Sequence, residues 1–194
     1  MLDLEASMSC VEPHPVPLPV ESRITSVYQR PNLADAYSIE LPQGTARDPE
    51  LLARFIFSHE PRWVSALMEV RDSAVSVFGL KTGRGLRSLG EQRQRIGIFR
   101  LYETNPNEVL VGEDDNHLNF RASVLYREPR TPASKASVVF STVVHCHNLL
   151  GRTYLALIAP FHRLVVKSFL RRAAEVGWPR ENSASSPSTP GVGV

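Results

Sequence analysis

Residues 117–126 read His117-Leu-Asn-Phe-Arg-Ala-Ser-Val-Leu-Tyr126, and this stretch decides the fold. Leu118, Phe120, Ala122, Val124 and Tyr126 fall on one side of an extended chain, and His117, Asn119, Arg121 and Ser123 on the other. Successive strand side chains point to opposite faces, so the alternation predicts a strand with one face on a core. Residues 137–147 repeat it, with Val138, Phe140, Thr142, Val144 and Cys146 on one face. Residues 96–104 and 108–112 supply two more strands, separated by the turn signal Asn105-Pro-Asn107.

Downstream, residues 150–176 change period. Leu150, Tyr154, Leu157, Phe161, Leu164 and Val165 recur at three- and four-residue spacing, which predicts one long helix with these residues on its buried stripe. Pro160 lies inside it and predicts a kink. Upstream, residues 36–41 form a strand closed by Pro42-Gln-Gly44. Asp48-Pro-Glu50 then starts a helix, because Asp caps well and Pro is tolerated at the first helical position. Leu51, Leu52, Phe55 and Ile56 continue it. Pro61 opens a second helix with apolar positions Trp63, Val64, Leu67, Met68, Val75 and Phe78, stopped by Gly79.

The order is strand, two helices, a run of strands, long helix. It predicts an α+β helix-grip fold: a curved antiparallel sheet packed on a long C-terminal helix, with two helices between strand 1 and the rest of the sheet. The proline-broken residues 1–15 and the Ser/Pro/Gly-rich residues 179–194 are expected to be disordered tails around one domain, 16–178.

Composition agrees with a single domain. The chain has 194 residues, 42% of them hydrophobic and 22% charged, enough for one core. A net charge of +2 gives no bulk basicity to draw it onto nucleic acid. Cys10 and Cys146 fall in a tail and a strand, so no framework disulfide is expected, and a reducing, cytoplasmic setting is the simpler reading. The first residues show no basic start followed by an apolar stretch, so no signal peptide is expected. No uninterrupted apolar run approaches the ~20 residues of a membrane span, so no transmembrane segment is expected either.

Chemistry-bearing residues are few. His145 and His147 share a strand face and are two metal ligands at reachable spacing, with His117, Asp114 or Asp115 as partners. No third ligand stands at a diagnostic spacing, so a polar outer face with a His–Asn cap into the next helix is preferred, and no metal or cofactor is expected. His117 and His162 have the chemistry for proton transfer near neutrality, but no nucleophile accompanies them. Ser123 and Ser141 lack a nucleophile-elbow setting, and Gly83-Arg-Gly85 lacks the ending of a phosphate loop. Arg163, Lys167 and Arg171 stand four apart and form a basic stripe, read as a solvated face in preference to one that meets acidic lipid headgroups.

Seven stretches carry a family resemblance: Ala34-Asp-Ala-Tyr37, Pro61-Arg-Trp63-Val, Leu67-Met-Glu-Val-Arg71, Phe78-Gly-Leu80-Lys, Asp114-Asp-Asn-His117-Leu-Asn-Phe120, His147-Asn-Leu-Leu-Gly151-Arg-Thr-Tyr154 and Pro160-Phe-His162-Arg-Leu-Val. In this order, over residues 16 to 175, they resemble the START-like (SRPBCC) family called domain of unknown function 2867. That family has no established activity. Its superfamily mostly binds apolar or amphipathic small molecules between sheet and long helix, and some members are cyclases or hydrolases. Asn119 stands where the pattern has an Asp.

The expectation is therefore a small-molecule-binding module without catalytic residues. Trp63, Phe120 and Phe161 would line the ligand, and His117, Arg121 and His162 would orient it. The alternatives are a cyclase- or hydratase-like enzyme using histidine acid–base chemistry, and a protein-interaction module.

Overall fold

The computed structural model describes residues 12–61, 63–64, 95–129, 131 and 133–181. Among the described residues seven strands form one antiparallel sheet: β1 His14–Val16, β2 Leu33–Glu40, β3 Arg95–Ile96, β4 Phe99–Thr104, β5 Glu108–Asp114, β6 Leu118–Arg127 and β7 Ser137–Cys146. Their spatial order is β1-β2-β7-β6-β5-β4-β3. Among the described residues two helices cover one face, α1 Pro49–Ser58 and α2 Leu149–Val176. The sheet and long C-terminal helix agree with an α+β helix-grip architecture.

Local chemistry sets the ends. Asp48 caps α1, its carboxylate accepting from Glu50 N at 2.8 Å and Leu51 N at 3.3 Å. Asn148 caps α2 by accepting from Gly151 N at 2.9 Å. Gly151 lies so close to the β5–β6 turn that a Cβ there would sit 2.1 Å from His117 O, so only glycine fits. Residues 96–104, expected as one strand, are instead the β3–β4 hairpin. Gly97, at φ 61°, supplies the left-handed residue that a two-residue turn needs.

The alternating faces fall as the strands predict. Tyr37, Ile39, Val109, Val111, Ala122, Val124, Val138 and Phe140 meet Leu52, Ile56, Val166, Leu170 and Ala173 in the main core. Cys146 is a buried free thiol on this side.

Several expectations need correction. Residues 14 and 15, expected in a disordered tail, pair with β2 as part of β1, and Glu12 forms an ion pair with Arg171. At the other end Trp178 is buried, Pro179 O accepts from Ala46 N at 2.8 Å, and Arg180 bridges Thr45. The first main strand starts at Leu33, not Ala36. The second helix, expected from Pro61 to Phe78, lies outside the described residues except at Pro61, Trp63 and Val64.

The largest correction concerns α2. Its sheet-facing stripe is Gly151, Leu155, Val166, Leu170 and Ala173, while Leu150, Leu157, Phe161 and Leu164 are exposed. At 100° per residue the two sets lie on opposite sides of the helix. Both sides are apolar, and the sequence period does not say which meets the sheet. For the same reason α2 is long and apolar enough to cross a membrane, with an 18-residue window at a mean hydropathy of 1.2. Arg152, His162 and Arg163 break its apolar runs without lowering the mean much.

Candidate functional site

The helix-facing side of the sheet is built in rows. Leu118 and Cys146 form one, Leu33, Val144 and Phe120 the next, then Asp35, Thr142 and Ala122, then Tyr37, Phe140 and Val124. Leu155 of α2 packs on Val144 and Cys146, and Val166 and Leu170 pack in the main core. Between these contacts His162 faces the row that carries Asp35 and Thr142. His162 Nε2 lies 3.3 Å from Asp35 Oδ1.

This row brings polar groups into a mostly apolar layer; in the neighbouring row Glu113, opposite Phe120, is ion-paired with Arg95 at 3.1 Å. The Asp35 side chain is 14% exposed and that of His162 22%. Thr142 is 4% exposed. Asp35 Oδ2 and Thr142 Oγ1 are both buried without a hydrogen-bond partner. Asp35 and Thr142 are cross-strand partners, so their Cβ atoms stand about 5 Å apart. A buried carboxylate oxygen left unpaired is costly and uncommon. Next to it the Tyr37 phenol is pushed up by burial first and by the Asp35 charge second. Lys167 lies 5.4 Å over the Tyr37 ring. The row offers an acceptor at Asp35, a hydroxyl at Thr142 and an imidazole able to hold or move a proton.

Of the six residues expected to line or orient a ligand, the structure brings two to the α2 side of the sheet. His162 is in the polar row. Phe120 stands in the neighbouring row and packs edge-on against Phe99 at 5.3 Å. His117 braces the start of α2 instead: its carbonyl accepts from His147 N at 2.9 Å, and Asn148 Nδ2 lies 3.0 Å from its Nδ1. Phe161 is on the outward stripe, 45% exposed, and Trp63 is 44% exposed, so neither ring is fully packed.

Arg121 is on the opposite face of the sheet. It donates to Asp114 at 2.8 and 3.2 Å and stacks 3.6 Å over the Tyr102 ring. Tyr102 also donates to Asp114 at 2.9 Å, and burial followed by this bond pushes its phenol up to about 12. His145 and His147 share that face, with Tyr28 stacked on His145 at 5.6 Å. Burial raises the Tyr28 phenol as well. Among the described residues no three His, Cys, Asp or Glu side chains converge on a point where a metal could sit.

Nearby on that face, Glu108 is buried and satisfied. One of its oxygens accepts from Ser22 Oγ and from Ser123 Oγ at 2.5 Å, and the other from Arg23 N at 2.9 Å. A solvent-open cleft of about 300 Å3 lies at the far end of the sheet, between the β2–α1 loop and residues 126–136, lined by Gln43, Thr45, Tyr126, Glu128 and Lys135. It does not reach the Asp35 row.

A family model for a protein of unknown function, DUF2867, matches residues 27–169. The chain belongs to the DUF2867 family. The matched span of this DUF2867 protein runs from just before β2 into the second half of α2, and so holds Asp35, Thr142 and His162. No curated protein and no solved structure matches the chain.

Sequence reading missed Asp35 and Thr142 as site residues. The signal was present: Asp35 alternates with Tyr37 and Ile39 on what becomes a core face, and a charge there is out of place.

Proposed function

We propose that this DUF2867 protein is a START-like small-molecule-binding module, holding an apolar or amphipathic ligand between the sheet and α2. The observation that carries the reading is the unpartnered pair Asp35 Oδ2 and Thr142 Oγ1, buried beside His162 under the helix. A ligand with an O–H or N–H group supplies what Asp35 lacks, and the rows of Leu33, Val144 and Phe120 receive its apolar body. The free thiol of Cys146 fits a reducing, cytoplasmic setting.

Native mass spectrometry of the chain purified from its own source tests this. The expected result is an added small-molecule mass that His162→Ala loses and the double His145→Ala, His147→Ala variant keeps. The reverse pattern would move the site to the other side of the sheet.

One observation favours a second reading, an enzyme of cyclase or hydratase kind. His162 has a carboxylate partner, the arrangement that orients an imidazole for general acid–base work. If Asp35→Asn retains the bound molecule but abolishes its conversion, the enzyme reading is preferred.

A further inference from the structure

The polar row under α2 has one acceptor and one donor to spare. Asp35 Oδ2 is a carboxylate oxygen and only accepts, while the Thr142 hydroxyl has a proton to give. The two residues are cross-strand partners with Cβ atoms about 5 Å apart, yet neither side chain bonds the other. A group set between them completes both only if it donates once and accepts once.

A hydroxyl does this, and the other common polar ends do not. An ammonium has three donors and no acceptor, so the Thr142 proton stays unmet. A carboxylate has nothing to donate to Asp35 and sets a second negative charge beside it. An ether oxygen accepts from Thr142 and leaves Asp35 as it was.

The layer around the row gives the direction. On one side Tyr37, Phe140 and Val124 are buried in the main core. On the other side Leu33, Leu118 and Phe120 are only partly buried. An apolar ligand removes the most surface from water over these partly exposed side chains. Its polar end then points inward and must leave water, which a neutral hydroxyl does at far lower cost than an ion.

We infer that the ligand is an apolar alcohol: its hydroxyl sits between Asp35 Oδ2 and Thr142 Oγ1, and its hydrocarbon body lies over Leu33, Leu118 and Phe120. This rests on the proposed reading of the sheet–α2 interface as a ligand site and adds the chemical class.

The test is isothermal titration calorimetry of the full chain with hexanol and decanol, each beside its methyl ether, primary amine and carboxylate. Each alcohol is expected to bind at least tenfold tighter than its three analogues, because a site built around a hydroxyl rejects a ligand that leaves its groups unpaired. Thr142→Val is expected to cut this advantage below threefold. Ser141→Ala removes another buried unpaired hydroxyl, one residue along and on the opposite face, and is expected to leave the advantage unchanged. The wild-type ratio of alcohol to ether decides even if the valine variant is unstable. If alcohol and ether bind equally, a water serves the row instead; the inference falls and the binding-module reading stands. Tightest binding by the amine or the carboxylate also overturns the inference alone. If none of the compounds binds, both fall.

Discussion

Glu108 and Asp35 are both carboxylates buried in the same sheet, on opposite faces. Glu108 has every neighbour it needs: two serine hydroxyls and a backbone N–H converge on its two oxygens. Asp35 has His162 on one oxygen and nothing on the other, with a second unpaired oxygen, Thr142 Oγ1, across the strand. The first arrangement ties residues 22 and 23 to β5 and β6 and leaves neither oxygen unpaired. The second leaves binding capacity unused inside the protein. A satisfied buried charge reads as architecture, and an unsatisfied one as a place where something else belongs.

The largest effect should come from the satisfied carboxylate. Glu108→Ala strands two hydroxyls and one N–H in a buried place and should cost about 3–5 kcal/mol, read by urea denaturation. A cost under ~1 kcal/mol would break the contrast. The two sides of α2 provide a parallel pair. Leu170→Ala, at a fully buried position, should cost about 2–5 kcal/mol. Leu157→Ala, on the outward stripe, should stay within about 0.5 kcal/mol.

The unsatisfied row should behave differently. Asp35→Asn keeps the shape and removes a half-paired buried charge, so its stability should change by no more than about 1 kcal/mol in either direction. Thr142→Val removes an orphan hydroxyl at nearly constant volume and should be smaller still, neutral to slightly stabilising. If either variant unfolds the chain, the row is structural and the contrast with Glu108 fails.

The smallest effect is confined to alkaline pH. Tyr102 has its folded-state value raised from 10 to about 12, so the neutral phenol is favoured in the folded protein. Its stabilising contribution is complete below pH 10. It is lost as pH rises from 10 through about 12, because the unfolded chain releases that proton first. Tyr102→Phe should flatten that part of the stability–pH curve and leave its slope in the neutral range unchanged, which thermal melts across the range will show.

Much of the fold was legible in the sequence. The alternation of β6 and β7 placed Cys146 on the core side and His145 and His147 on the other, as the structure has them. Asp48 and Pro49 marked the start of α1. The hairpin at Gly97 was missed because a single glycine inside an apolar stretch does not announce its φ. The edge strand β1 was missed because His14-Pro-Val16 has no period of its own and is ordered by its partner β2.

The strand faces of β6 and β7, the span of α2 and the caps of both helices were readable from the residues, because these follow from periods of two and 3.6 residues and from neighbours a few positions apart. Which apolar side of α2 meets the sheet was settled by packing alone. A helical period fixes spacing around an axis and leaves open how that axis is rotated against its partner. The same holds for the two carboxylates. Glu108 is answered by Ser22, 86 residues away, and Asp35 meets His162 across 127 residues. Nothing local to either acid states whether its partners will arrive, since that depends on which strands pair and how the helix lies on them.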